Sequence, residues 1–167
     1  MIIFLNGVTA AGKSTVASAL SQMMESPTIT LQLDAFHVAL NTPYNSEHWP
    51  LYRETAKGLH LTSLVWHQMG FHVILDTVLD RHDLFLHAHE LLPREQTCYV
   101  GVMADLATLN SREMRRKNPR PDFVAYQFDH VHKDIAYDLT VDTGALNPIA
   151  AALRIYDHLR SAYPEFN

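Results

Sequence analysis

The run Gly7-Val8-Thr9-Ala10-Ala11-Gly12-Lys13-Ser14, followed by Thr15, has the residue types and spacing that hold phosphate. Gly7 and Gly12 permit backbone angles that a side chain would forbid, so amide hydrogens can turn inward toward phosphate oxygens. A helix starting after Gly12 adds its positive end. In such a loop Lys13 reaches the β- and γ-phosphates and the Ser14 hydroxyl binds Mg²⁺. Context gives the pattern its weight. The apolar run Met1-Ile2-Ile3-Phe4-Leu5-Asn6 precedes it, as a buried strand would. The expectation is a nucleoside triphosphate site over Gly7 to Thr15.

Two carboxylates stand where strands should end. His72-Val73-Ile74-Leu75 runs into Asp76, the position of an acidic residue that orients Mg²⁺ directly or through water. A plain helix cap is the other reading of Asp76. Thr28-Ile29-Thr30-Leu31-Gln32-Leu33 runs into Asp34. A carboxylate there can take the proton of an attacking hydroxyl, or can cap a helix starting at Ala35. Spacing alone leaves both roles of Asp34 open. Arg112, Arg115 and Arg116 fall at i, i+3 and i+4, one helix face, and Arg120 follows in a turn. Such a cation set suits a lid that closes over phosphates and neutralises charge, or a solvated helix end.

The elements that must position these groups alternate. After the loop, Val16, Leu20, Met23 and Met24 mark a helix face. The second strand covers Thr28 to Leu33. Residues 35–52 read as a short helix and then a long loop, rich in aromatic and histidine residues: Phe36, His37, Tyr44, His48, Trp49 and Tyr52. A loop of that length is usually functional, or is a surface flap over its own core. A helix from Arg53 to Met69 would turn Leu61, Leu64, Val65 and Met69 inward, with Gly70 closing it. The third strand is Phe71 to Leu75. A helix with Leu84, Ala88, Leu91 and Leu92 on one face stops at Pro93. The fourth strand is Thr97 to Met103, and helices follow at about 105–116 and 122–132. A fifth strand covers Leu139 to Val141. Asn147-Pro148 open the last helix, with Ile149, Leu153, Tyr156 and Leu159 inward. Strands alternating with helices imply a parallel sheet covered on both faces, with its ligand beyond the carboxyl ends of the strands. That rule gathers Lys13, Asp34 and Asp76 at one edge.

Composition sets limits. A chain of 167 residues fits one domain. A net charge of −5 argues against a general nucleic-acid partner. The single Cys98 allows no internal disulfide and sits in an apolar run, as a small buried hydrophobe does. No apolar stretch approaches the roughly 18 residues of a membrane span, and the first strand at Ile2 leaves no room for a signal peptide, so the expected location is cytoplasmic. Eleven histidines raise a metal reading, with His60 and His67, and His82 and His89, seven apart. They lack H-E-x-x-H spacing and cysteine companions, so surface histidine is the expectation.

The order of motifs resembles the chloramphenicol phosphotransferase-like family of P-loop kinases, related in fold to nucleotide and shikimate kinases. The residues that carry the resemblance are Leu5-Asn6-Gly7, Leu33-Asp34-Ala35-Phe36, Val73-Ile74-Leu75-Asp76, Tyr99-Val100-Gly101-Val102, and the tail Gln127, Val131-His132, Tyr137-Asp138 and Val141-Asp142-Thr143. The resemblance implies an α/β fold of three layers with a five-stranded parallel sheet. It also implies transfer of the γ-phosphate of ATP, with Mg²⁺, to a small-molecule hydroxyl. Asp34 matches the family's base, Lys13 and Ser14 the phosphate and Mg²⁺ contacts, and Arg112 and Arg116 the lid helix. Two departures stand out: Thr77 follows Asp76 where a second acid is usual, and Lys117-Asn118-Pro119-Arg120-Pro121 replaces the usual lid turn. The stretch between Ala39 and Arg53 has no clear match to the antibiotic-modifying enzyme.

These observations converge on an ATP-dependent small-molecule kinase. Asp34, Lys13, Arg112 and Arg116 are its catalytic candidates. Gly7 to Thr15 with Arg116 and Arg120 are the nucleotide contacts, and Ser14 and Asp76 the metal contacts. Phe36, His37, Trp49 and Tyr52 are the acceptor contacts. The expected substrate flap lies near 35–55 and the arginine lid near 112–122. A nucleotide or metabolite kinase and a slowly hydrolysing binding switch are the alternative readings, and a homo-oligomer is an open alternative to a monomer.

Overall fold

A computed structural model describes residues 1–43 and 46–166. The expectation made for Tyr44 lies outside the described residues.

Five parallel strands form one sheet in the order β2-β3-β1-β4-β5. They are β1 (Ile2–Asn6), β2 (Thr28–Gln32), β3 (His72–Thr77), β4 (Thr97–Met103) and β5 (Leu139–Asp142). Alternation along β1 divides the core. Ile3 and Leu5 join Val16, Ala17 and Leu20 on one face, while Ile2 and Phe4 join Leu59, Phe85 and Tyr99 on the other. Both faces are therefore apolar, which is why β1 reads as an unbroken hydrophobic run. Helices α1 (Lys13–Met23) and α7 (Pro148–Ala162) cover the first face. Helices α3 (Trp49–Gln68) and α4 (His82–Leu91) cover the second. The short α2 (Leu33–Ala39), α5 (Leu106–Glu113) and α6 (Pro121–His130) frame the end of the sheet where the strands finish. Among the described residues no helix is long and apolar enough to cross a membrane.

Register sets the site. Asp76 is level with Leu5 of β1 and with Gln32 of β2. Asp76 lies inside β3, so the helix-cap reading of this residue falls away. Asn6 ties the end of β1 to its surroundings: its amide donates to the Val131 carbonyl at 3.1 Å and the Tyr137 hydroxyl at 2.9 Å, and its oxygen accepts from the Leu79 amide at 2.9 Å. With all its polar atoms matched, a fully buried asparagine is tolerated there.

Several expectations need correction. The short helix expected after Asp34 is α2, but the expected long loop does not reach Tyr52, because α3 begins at Trp49 rather than at Arg53. Pro50 stands in the first turn of α3, where no amide hydrogen is required, so it starts the helix instead of breaking it. The face of α3 that meets the sheet carries Ala56, Leu59, His60 and Ser63, while Leu61, Val65 and Met69 are each more than half exposed. Both faces of α3 carry apolar residues, so periodicity alone does not say which one packs. In α7, likewise, Ala151, Ala152, Ile155 and Leu159 are buried, whereas Ile149 and Leu153 face outward. Cys98 is buried as expected, and burial pushes its thiol up to about 12. His60, expected at the surface, is fully buried. Its Nδ1 lies 3.0 Å from His87 Nδ1 and its ring 5.7 Å from that of Phe4.

Candidate active site

The loop between β1 and α1 bends back through two left-handed residues. Gly12 has φ 85°, and Ala10 has φ 65°. The second is uncommon for a residue with a side chain and marks strain of the kind found at functional sites. Gly7 is required for a different reason: a Cβ there would lie 2.5 Å from the Val102 carbonyl oxygen of β4. Val8 and Ala11 pack into the first core, and Thr9, Ala10, Gly12, Lys13, Ser14 and Thr15 line a hollow of about 590 Å³. No side chain caps the start of α1 and its first turn holds no acid. Its amide hydrogens and positive end are thus available to an anion.

Lys13 is buried, and its ammonium donates 3.1 Å to the Val8 carbonyl. Burial lowers its pKa, while the nearby Asp76 and Asp34 carboxylates act to raise it. A ligand phosphate would supply the countercharge that burial removes. The Ser14 hydroxyl donates to Asp76 Oδ2 at 2.5 Å. A hydroxyl and a carboxylate oxygen side by side are hard donors that suit Mg²⁺. Among the described residues no group of three or more His, Cys, Asp or Glu side chains could hold a metal.

The sequence places Asp34 at the end of the second strand, but β2 stops at Gln32. Asp34 is the second residue of α2, whose N-cap is Gln32, so it is not the cap either. Its side chain is 95% exposed, and Oδ1 lies 4.0 Å from His37 Nδ1. Asp34 lines the phosphate-loop hollow and also a second one, of about 740 Å³. Thr9, Leu33, Val78 and Arg116 are shared in the same way.

The arginines do not act as one face. Helix α5 ends at Glu113, so Arg115 and Arg116 lie beyond it. Arg112 is tied down: Nη2 donates to the Thr143 carbonyl at 2.7 Å, and Nη1 to the Thr143 hydroxyl at 3.1 Å and the Ala10 carbonyl at 3.4 Å. Arg116 pairs with Glu113 at 3.2 Å. Glu113 is buried, and its Oε1 also accepts the Arg120 amide at 3.0 Å. The Arg120 guanidinium lies over the Phe123 ring and lines only the second hollow, away from the loop amides.

Of the expected acceptor residues, His37, Trp49 and Tyr52 line the second hollow. Phe36 does not, because it packs against the second core. Val38, Arg53, Asp80 and Arg81 are among the lining residues that were not anticipated. Arg53 follows Trp49 by one helical turn, a signal readable only once α3 is known to start at Trp49. Gln127 was noted only within a motif; buried, it accepts the Thr9 amide at 2.9 Å and holds the loop against α6.

Residues 1–160 match the family described as chloramphenicol phosphotransferase-like protein, and the chain belongs to that family. No curated protein matches the chain significantly. Its fold is that of P-loop kinases. An unliganded sugar kinase from Janibacter sp. HTCC2649 superposes with a TM-score of 0.73 at 16% identity, over 99% of this chain and 96% of that one. The Mycobacterium tuberculosis APS kinase, solved with AMPPNP and APS, gives 0.71 at 15% identity, over 95% and 96%. Shikimate kinase from Aquifex aeolicus gives 0.63 at 18% identity, over 96% and 97%. Family and fold together support a nucleotide-dependent kinase.

Proposed function

We propose that the protein transfers the γ-phosphate of ATP to a hydroxyl of a small molecule, an antibiotic or a metabolite. The observation that carries this reading is that Asp34, Thr9 and Arg116 line both hollows. A donor in the first and an acceptor in the second meet at these residues. Lys13 and the first-turn amides of α1 bind the β- and γ-phosphates. Leu146 and Pro148 offer apolar surface to the base in the same hollow. Ser14 and Asp76 would hold Mg²⁺, which when bound neutralises phosphate charge.

Asp34 accepts the acceptor's hydroxyl proton as that oxygen bonds to the phosphorus and the bond to ADP breaks. Arg116 meets the negative charge on the transferring group, and Arg112 stiffens the loop through Ala10 and Thr143. In this reading α2 and the start of α3 border the acceptor as its flap, and the segment after the anchored Arg112, up to residue 122, is the lid.

The test follows phosphate by mass after the protein is mixed with ATP, Mg²⁺ and a metabolite pool. A phosphorylated product that depends on the protein is expected. ATP turnover to ADP and free phosphate alone, with no such product, would favour the binding switch.

A further inference from the structure

The second hollow holds a cation that has no hydrogen-bond or ion-pair partner among the described residues. Trp49, Tyr52, Arg53 and Ala56 fall at i, i+3, i+4 and i+7, so one face of α3 lines this hollow. Three other arginines line it, and each is engaged. Arg81 binds Asp83 at 3.0 Å, Arg116 binds Glu113, and Arg120 lies over Phe123. Arg53 is half-buried, and among the described residues it makes no hydrogen bond or ion pair. Its charge is felt at Asp80 and Asp83, but neither carboxylate comes within ion-pair distance. Its guanidinium therefore has donors to offer a ligand in this hollow. The planar fork matches a carboxylate or a phosphate with two parallel hydrogen bonds.

Beside these charged residues, which include Asp80 as well as the arginines, the wall carries Trp49, Tyr52, Phe123 and Tyr126. Trp49 and Tyr126 are about half exposed, and Phe123 and Tyr126 stack with ring planes 12° apart. Asp34 lies on the same wall. We infer that the acceptor is an anionic hydroxyl compound with an apolar or aromatic body, and that Arg53 is the residue that recognises its anionic group. This inference rests on the proposed kinase reading, and it goes further by naming the acceptor class and the residue that selects it.

The experiment compares two probes of the same shape, 4-(hydroxymethyl)benzoate and 4-(hydroxymethyl)benzamide. Binding of each is measured by calorimetry to the full chain saturated with AMPPNP and Mg²⁺. A phosphate probe, 4-(hydroxymethyl)phenyl phosphate, shows which anion fits better. The benzoate is expected to bind at least about tenfold more tightly than the amide, because charge-assisted hydrogen bonds exceed neutral ones. Arg53→Gln should bring the two within about twofold, Arg53→Lys should keep part of the preference, and neither should change AMPPNP affinity. Equal binding of the acid and amide, no binding of any probe, or a preference that survives Arg53→Gln would each overturn the inference. Failure of AMPPNP to bind at all would instead strike the kinase reading, and the calorimetry reports that first.

Discussion

Arg112 is fastened to Thr143 at two points, carbonyl and hydroxyl, and the Thr143 hydroxyl itself donates to the Ala11 carbonyl at 2.7 Å. The end of α5, the residue after β5 and the phosphate loop are thereby one network. Arg112 holds the loop in shape, whereas Arg116 stands at the junction of the two hollows, where charge would develop.

The two arginines should therefore fail differently. Arg112→Ala is expected to cost about 2 kcal/mol of stability, as loss of hydrogen bonds from a charged donor does, and to weaken ATP binding. Arg116→Gln keeps a donor for Glu113 but removes its countercharge, so a smaller loss of stability is expected than for Arg112→Ala, while turnover falls about 10²-fold. Thermal melts, ATP titration and single-turnover rates on both variants separate the roles. Equal loss of stability in the two would contradict the division.

Lys13→Ala removes the ammonium buried at the foot of the loop. Turnover is expected to fall about 10²-fold or more, the usual result of deleting a preorganised charge at a developing anion. Stability should not fall in proportion, because burial of the unliganded Lys13 ammonium opposes its charge. A folded Lys13→Ala protein with near-normal turnover would defeat the phosphate-loop assignment.

Acid should destabilise the fold through buried histidines. Burial, with His87 adding repulsion, pushes His60 down to about 3. Burial also pushes His132 down to about 4, with Lys13 adding to the shift. Their folded values lie below the ordinary 6.5 of an unfolded chain, so the unfolded chain binds more protons between these limits. Stability is complete above about pH 6.5 and is lost progressively below it. For His60 alone the loss by about pH 5 is on the order of 2 kcal/mol, at ~1.4 kcal/mol per unit. Denaturant midpoints measured from pH 7 down to pH 5 should show this slope. His60→Phe, which places an apolar ring beside Phe4, should make it shallower. A slope unchanged in that variant would assign the acid sensitivity elsewhere.

The parts of this molecule that were legible in the sequence are those specified by neighbours along the chain. Gly12-Lys13-Ser14, the apolar β1 and the run into Asp76 each declare themselves within a few residues, and the strand and helix order follows. What was not legible depends on partners distant in sequence. Whether Leu61 or Leu59 faces the sheet depends on which side of α3 fits Phe4 and Leu75, and both sides are apolar. Arg53 looks like any surface arginine until the fold shows that no carboxylate pairs with it. Gly7 reads in the sequence as backbone freedom for the phosphate loop, yet the close approach of Val102 across the sheet is what requires it. Ala10 gave no hint of its positive φ, because alanine carries no turn signal.

Asp34 is where the proposed chemistry is most exposed to refutation. It stands at the second position of α2, with its side chain open to both hollows. A carboxylate in a first turn also favours the helix through the macrodipole, by about 0.3–1 kcal/mol. Asp34→Asn removes that small term and, at the same time, the proton acceptor. It keeps size and shape. If Asp34 is the base, transfer should fall by roughly 10²- to 10⁴-fold while ATP affinity stays within a few-fold and the melting temperature hardly moves. If its role is only to favour the start of α2, the melting temperature should fall slightly and transfer should not change. His37, 4.0 Å from the carboxylate, gives an independent readout. Asp34 acts to raise its pKa, against the larger lowering by burial, so Asp34→Asn should move the His37 titration downward. Following that ring by NMR reports the loss of the carboxylate charge beside His37 in the folded protein. Wild-type transfer rates in a folded Asp34→Asn protein would remove the base from the mechanism and leave the loop as a nucleotide-binding device alone.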